Sequence, residues 1–193
     1  MNNFVVLKNF LPQSFLEYYL QKIDLYQSIN SKVGNNIDNN KKRRKDIFLS
    51  KNDCELLDKY IFLTKKQILK DYFNIDIDYR ERYKIGVYTG YDKGFYNPHR
   101  DTQGGMKHRQ ISMVICLSNE RDYDGGYLNF EELGHKFKFS TGDAIFFSSD
   151  ILHGVEPVLN GSRKVLISFL FDKKACLFKN NFDKLIHNYS PVI

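Results

Sequence analysis

From Ile75 onward the chain is broken into short runs that leave little choice of architecture. Ile75, Ile77 and Tyr79 alternate with Asp76, Asp78 and Arg80, the period of a half-buried strand. Further strands are predicted at Lys84–Tyr88, Gly94–Asp101, Gln110–Leu117, Gly126–Phe130, His135–Phe139, Ala144–Phe147, Gly154–Val158 and Lys164–Phe171. Clusters such as Asp124-Gly125-Gly126 and Thr141-Gly142-Asp143 punctuate them. Connections this short exclude parallel βαβ units, which need a crossover of a dozen residues or more. The expected fold is mainly β (α+β), an antiparallel sandwich or jelly roll with helices packed outside.

Those helices come first in the chain. Phe4–Phe10 is an apolar run closed by Pro12, and Gln13–Ile29 then spaces Phe15, Leu16, Tyr19, Leu20, Ile23 and Tyr26 in threes and fours, which predicts a helix with one apolar face. Asn52–Phe73 repeats that period through Leu56, Leu57, Tyr60, Ile61, Ile68, Leu69 and Tyr72, with Asn52 or Asp53 as its cap. Between them, Asn30–Asp46 loses the pattern in Gly, Asn and the run Lys41-Lys42-Arg43-Arg44-Lys45. It reads as a mobile, solvated loop. In the tail after Asp172 a short helix is predicted near Phe182–Tyr189. At 193 residues the chain reads as a single domain: 1–74 helical support, 75–172 the β roll, 173–193 a tail.

Composition narrows the class. Thirteen Tyr and sixteen Phe without Trp suit a β-rich core, and the formal charge of +6 accommodates an anionic partner. Cys54, Cys116 and Cys176 are few and unpatterned, as expected of reduced thiols in a cytoplasmic protein. No segment approaches a membrane span, and the start Met1-Asn2-Asn3-Phe4 lacks a basic leader.

The chemistry sits in Tyr96-Asn97-Pro98-His99-Arg100-Asp101. In a strand, the period of two turns His99 and Asp101 to one face and Arg100 to the other. Imidazole and carboxylate can then converge on one metal, and His153, in Leu152-His153-Gly154-Val155, supplies the third ligand. Two His and one carboxylate suit non-haem Fe(II) with positions left open. Arg163, ten residues later at the start of the last strand, offers a cationic fork for a carboxylate. Such a fork would hold the distal carboxylate of 2-oxoglutarate, whose keto acid end chelates the metal.

The order Tyr88, then Tyr96-x-x-His99-x-Asp101, then Arg109-x-Ile111-Ser112, then Gly125-Gly126-x-Leu128-x-Phe130 continues through Gly142-Asp143-Ala144-x-x-Phe147. It closes with His153-x-Val155-x-Pro157-Val158-x-x-Gly161-x-Arg163. From about Tyr79 to Phe171 the sequence resembles the catalytic domain of prolyl-4-hydroxylase-type 2-oxoglutarate/Fe(II) dioxygenases. The resemblance implies a double-stranded β-helix, Fe(II) on His99, Asp101 and His153, and 2-oxoglutarate on Arg163 and Tyr88. It implies O2 as co-substrate and ascorbate as reductant. Tyr96 and Arg100 are then expected near the substrate mouth, although regular strand period turns Tyr96 away from the metal. With Asp101 present, hydroxylation of an aliphatic C–H is favoured over halogenation, which needs that ligand position. The substrate expected is a prolyl or other residue in a peptide or protein; the alternatives are a free amino acid or small metabolite, or a jelly roll that binds without catalysis. Related base demethylases carry a second arginine where this chain has Phe169, so nucleic acid is not the expected partner.

Overall fold

The computed structural model describes residues 3–33, 36–176 and the backbone of 189–191. Strand β1 (Phe4–Leu7) precedes helix α1 (Gln13–Ile23), and β2 (Ile29–Asn30), β3 (Lys42–Arg43) and β4 (Lys45–Phe48) lead into helix α2 (Lys51–Phe73). Then come β5 (Tyr79–Glu81), β6 (Lys84–Thr89), β7 (Phe95–His99), β8 (Ile111–Cys116), β9 (Tyr123–Gly125) and β10 (Leu128–Phe130). Strands β11 (His135–Phe137), β12 (Ala144–Ser148), β13 (His153–Val155), β14 (Val158–Phe171) and β15 (Tyr189–Pro191) complete the order.

Among the described residues these strands form two antiparallel sheets. The larger has ten strands on the path β1-β12-β8-β14-β6-β4-β2, with β5 and β9 on β14 and β15 on β5. The smaller, of five, runs β11-β10-β13-β7-β3. Strand β14 shows how one sequence builds both cores. Val165, Ile167 and Phe169 face Leu128, Phe130 and Val155 of the smaller sheet, whereas Leu166 and Leu170 face Leu57, Ile61 and Leu69 of α2. Period-two alternation thus sends one set of side chains into the roll and the other under the helices.

Helix α2 starts where Ser50 Oγ accepts the backbone N–H of Asp53 at 3.2 Å and stops at Asn74, a left-handed residue at φ 54°. The cap is therefore Ser50 and not Asn52 or Asp53. Asp53 instead ties α1 to α2, because its buried carboxylate accepts from Tyr18 at 2.6 Å, Lys22 at 3.1 Å and Tyr26. Helix α1 ends at Ile23, six residues short of expectation, because residues 29–30 are drawn out to pair with β4.

The basic run is the larger correction. Lys42–Arg43 pairs with β7 and Lys45–Phe48 with β6. Lys42 and Asp46 are buried and the Arg44 side chain is 5% exposed, while Lys41, Arg43 and Lys45 face solvent. The segment alternates in burial like any strand, with charge in place of apolar bulk. Cys54, Cys116 and Cys176 are all buried. No described helix is long and apolar enough to cross a membrane. The helix expected at Phe182–Tyr189 lies outside the described residues except at Tyr189, which is extended.

Candidate active site

His99 ends β7, His153 opens β13, and the two are register partners across the smaller sheet. Asp101 lies just beyond β7, where its N–H donates to Ser149 O at 2.9 Å. The donor atoms of the three residues all fall within 4.8 Å of one another. His99 Nε2 is 3.3 Å from Asp101 Oδ1, and His153 Nε2 is 3.4 Å from Oδ2. Ligand bonds of about 2.1 Å meeting at right angles set donor atoms about 3 Å apart, so the cluster has the size of three neighbouring corners of a metal's shell.

Protonation suits that use. His99 Nδ1 lies 2.9 Å from Asn97 O and His153 Nδ1 2.9 Å from Ile151 O. A carbonyl only accepts, so each Nδ1 carries the proton and each Nε2 offers its lone pair inward. Burial pushes the His153 imidazole down, against the pull of Asp101, which favours the neutral ring. Burial alone would raise the Asp101 carboxyl; His153, His99 and Arg109 overcome it and hold the group well below the usual carboxylate range. Ser112 Oγ donates to Asp101 Oδ2 at 2.7 Å, fixing the carboxylate's rotation. Arg109 forks onto Glu81 at 2.7 and 2.9 Å, with its guanidinium 3.7 Å above the Phe169 ring.

Arg163 lies within β14, opposite Tyr88 of β6, so both side chains enter the roll. The Arg163 guanidinium sits 5.2 Å from the Tyr88 ring centre. Its Nη1 is one of two buried side-chain nitrogens, among the described residues, that lack an acceptor. A buried arginine donor without a partner is costly, and a carboxylate arriving there would complete it. Gly126, at φ 65°, leaves room for this arm: a Cβ there would stand 3.1 Å from Arg163 Cδ. It therefore does more than turn the chain.

Tyr96 departs from the regular-strand expectation. Between the pairs His153–His99 and Val155–Tyr96 the register shifts by a bulge, which returns Tyr96 to the His99 face. Its ring stacks on His99 with centres 3.6 Å apart. Arg100 points outward, where it bonds Glu132 and the Asp150 carbonyl and lines a surface cleft with Thr102, Gln103, Gly104, Gly105 and Lys107.

Several charged residues to which sequence pattern assigns no role also converge here. Arg44 Nε and Nη2 grip Asp46 at 2.6 and 3.1 Å, and Nη1 donates to the Tyr88 hydroxyl at 3.1 Å. Its stem lies over Gly86, where a Cβ would come within 2.9 Å of Arg44 Cδ. Lys84 stands 3.5 Å from Asp46, and Lys42 caps the Tyr96 ring at 4.4 Å. The one sequence signal for Arg44 and Asp46 is their spacing of two at the end of a basic run.

The fold and the histidine–aspartate–histidine cluster together define a class. Residues 84–171 match the model of the 2OG-Fe(II) oxygenase superfamily. A PKHD-type hydroxylase of Sphingopyxis alaskensis is 34% identical over 134 residues, 62% of this chain and 61% of that protein. One from Colwellia psychrerythraea is 42% identical over 62 residues, 31% and 28% of the respective chains. The matches thus span less than two thirds of these relatives. Among solved structures, a Pseudomonas putida prolyl-4-hydroxylase aligns over 89% of this chain and 94% of its own, with TM-score 0.71 and 18% identity. A Trichoplax adhaerens prolyl hydroxylase, solved with a hypoxia-inducible-factor peptide fragment, aligns over 91% and 86%, with TM-score 0.72 and 23% identity. At such identities the likeness is one of fold, here the double-stranded β-helix.

Proposed function

We propose that the protein is an Fe(II)- and 2-oxoglutarate-dependent hydroxylase in which His99, Asp101 and His153 hold the metal and Arg163 holds the distal carboxylate of 2-oxoglutarate. The observation that carries this reading is the pairing of three inward donor atoms with a buried guanidinium donor that has no acceptor. Iron and 2-oxoglutarate, when bound, supply O2 activation coupled to decarboxylation, and a C–H bond is exchanged for C–OH.

The chain's own residues do the rest. Asn97 O and Ile151 O keep both imidazoles in the ligating tautomer. Ser112 turns the Asp101 carboxylate to the metal. Tyr96 backs His99 and forms one side of the mouth. Phe130 and Phe147, packed against His153, keep water from that flank. The substrate class is a prolyl or other residue of a peptide, as the peptide of the Trichoplax enzyme supports, or else a free amino acid or small metabolite.

Adding 2-oxoglutarate anaerobically to the Fe(II) protein is expected to give a visible metal-to-ligand charge-transfer band, absent in His99→Ala. Arg163→Ala is expected to shift the band's half-saturation to at least about tenfold higher 2-oxoglutarate, the loss of a charge-assisted fork. No band in the wild type would overturn the reading.

A further inference from the structure

Among the described residues five cationic side chains, Lys42, Arg44, Lys84, Arg109 and Arg163, reach into or border the interior of the roll, against three carboxylates, Asp46, Glu81 and Asp101. A divalent iron and a dianionic 2-oxoglutarate cancel each other's charge. With both lysines protonated, the loaded chamber would carry an excess of two positive charges.

The excess can be traced to two residues. Arg109 is paired with Glu81 and Arg44 with Asp46, each through two bonds. Arg163 faces the position of the cosubstrate's distal carboxylate. Lys84 and Lys42 remain. The carboxylate oxygen nearest Lys84 Nζ, Asp46 Oδ2 at 3.5 Å, already accepts from Ser31 Oγ at 2.7 Å and Arg44 Nη2 at 3.1 Å. Lys42 Nζ has a single backbone acceptor, Lys32 O, at 3.2 Å. An ammonium carries three donors, so both have capacity to spare. Lys84 flanks the Phe169 ring that Arg109 covers, and Lys42 caps the Tyr96 ring that backs His99. The Lys84 side chain keeps 18% exposure, comparable with Arg109 at 16% and His99 at 13%.

We infer that the substrate of this enzyme bears a carboxylate, received by Lys84 with Lys42 beside it. The inference rests on the oxygenase reading and narrows its substrate class to an acidic residue in a peptide or a free amino or other carboxylic acid. Burial first, then Arg44 and Lys84, push the Lys42 amine down to about 5, against Asp46 and Asp101. Burial likewise lowers Lys84, with Arg44 and Arg109 adding and Asp46 and Glu81 opposing. A carboxylate entering between them supplies the missing counter-charge, so its binding draws protons onto these amines.

Calorimetric titration of the anaerobic Fe(II)–2-oxoglutarate protein with matched probes tests this. One arm compares capped aspartyl and glutamyl tripeptides with asparaginyl and glutaminyl ones; the other compares free proline, aspartate and glutamate with their amides. In at least one arm the carboxylate member is expected to bind roughly tenfold more tightly, with heats that change with buffer ionisation as protons are taken up. The arm that shows the preference tells an acidic side chain from a free acid. Lys84→Met and Lys42→Met remove the gap and Lys84→Arg restores it, while the charge-transfer band reports loading in each variant. Equal or tighter binding of the amides, no binding of any probe at millimolar concentration, or a gap that survives both methionine variants overturns the inference. Absence of the band in the wild type overturns the oxygenase reading itself.

Discussion

Tyr88 sits between two guanidiniums, Arg44 at 5.5 Å and Arg163 at 5.2 Å from its ring centre, and its oxygen accepts from Arg44. A phenol that accepts from one side turns its own O–H toward the other. Arg44 therefore sets Tyr88 as a donor into the cavity that Arg163 also faces, and Asp46 holds Arg44 in place. Arg44→Lys keeps a cation beside Asp46 but cannot serve both partners. It is expected to raise half-saturating 2-oxoglutarate by about 2–10-fold, the worth of one net hydrogen bond of about 0.5–1.5 kcal/mol. Tyr88→Phe should do the same, and the double variant should be little worse than either single one, since both remove one contact chain. Titration of the charge-transfer band reads all three.

At the scale of elements, Asp53 is the joint between the two helices behind the larger sheet. Asp53→Asn removes the charge that Tyr18, Lys22 and Tyr26 share and is expected to cost about 2 kcal/mol. In a chain of this size that is a drop of about 4–8 °C in Tm, with 2-oxoglutarate affinity unchanged. The helices and most strands were legible because apolar residues mark them at periods of 3.6 and two. The triad was legible because its spacing and the downstream arginine form a pattern. Burial of Lys42, Arg44 and Asp46 was not, since charged residues read as solvated unless their partners are known, and those partners, Tyr88, Lys84 and Ser31, are brought up only by the sheet. The face occupied by Tyr96, a residue already expected near the mouth, escaped strand period for another reason. A bulge shifts phase by one residue and leaves no mark in composition.

For the molecule as a whole, buried charge couples stability to pH. Asp46, Asp53 and Asp101 each titrate below their unfolded values: burial would raise them, but their cationic and hydrogen-bonding partners prevail. Their contribution is present above about pH 4 and is lost as pH falls toward the folded values. Lys42 acts in the same direction over a higher range. Unfolded it keeps its proton to about 10.5, whereas folded it releases it near 5, so the unfolded chain binds more protons between these limits and stability climbs with pH. Tm of the metal-free protein is expected to rise from pH 5.5 to 8, and more shallowly in Lys42→Met, by up to about 1.4 kcal/mol per pH unit. Scanning calorimetry across that range measures the difference in slope. The bare Cα of Gly86 carries a different consequence. The Arg44 stem occupies the space a side chain would take, so one wall of the chamber is supplied from forty-two residues upstream of the glycine it covers. Positions 44 and 86 are thereby bound to a joint choice: a larger residue at 86 is admissible only with a smaller one at 44, and neither can be exchanged as though the other were absent.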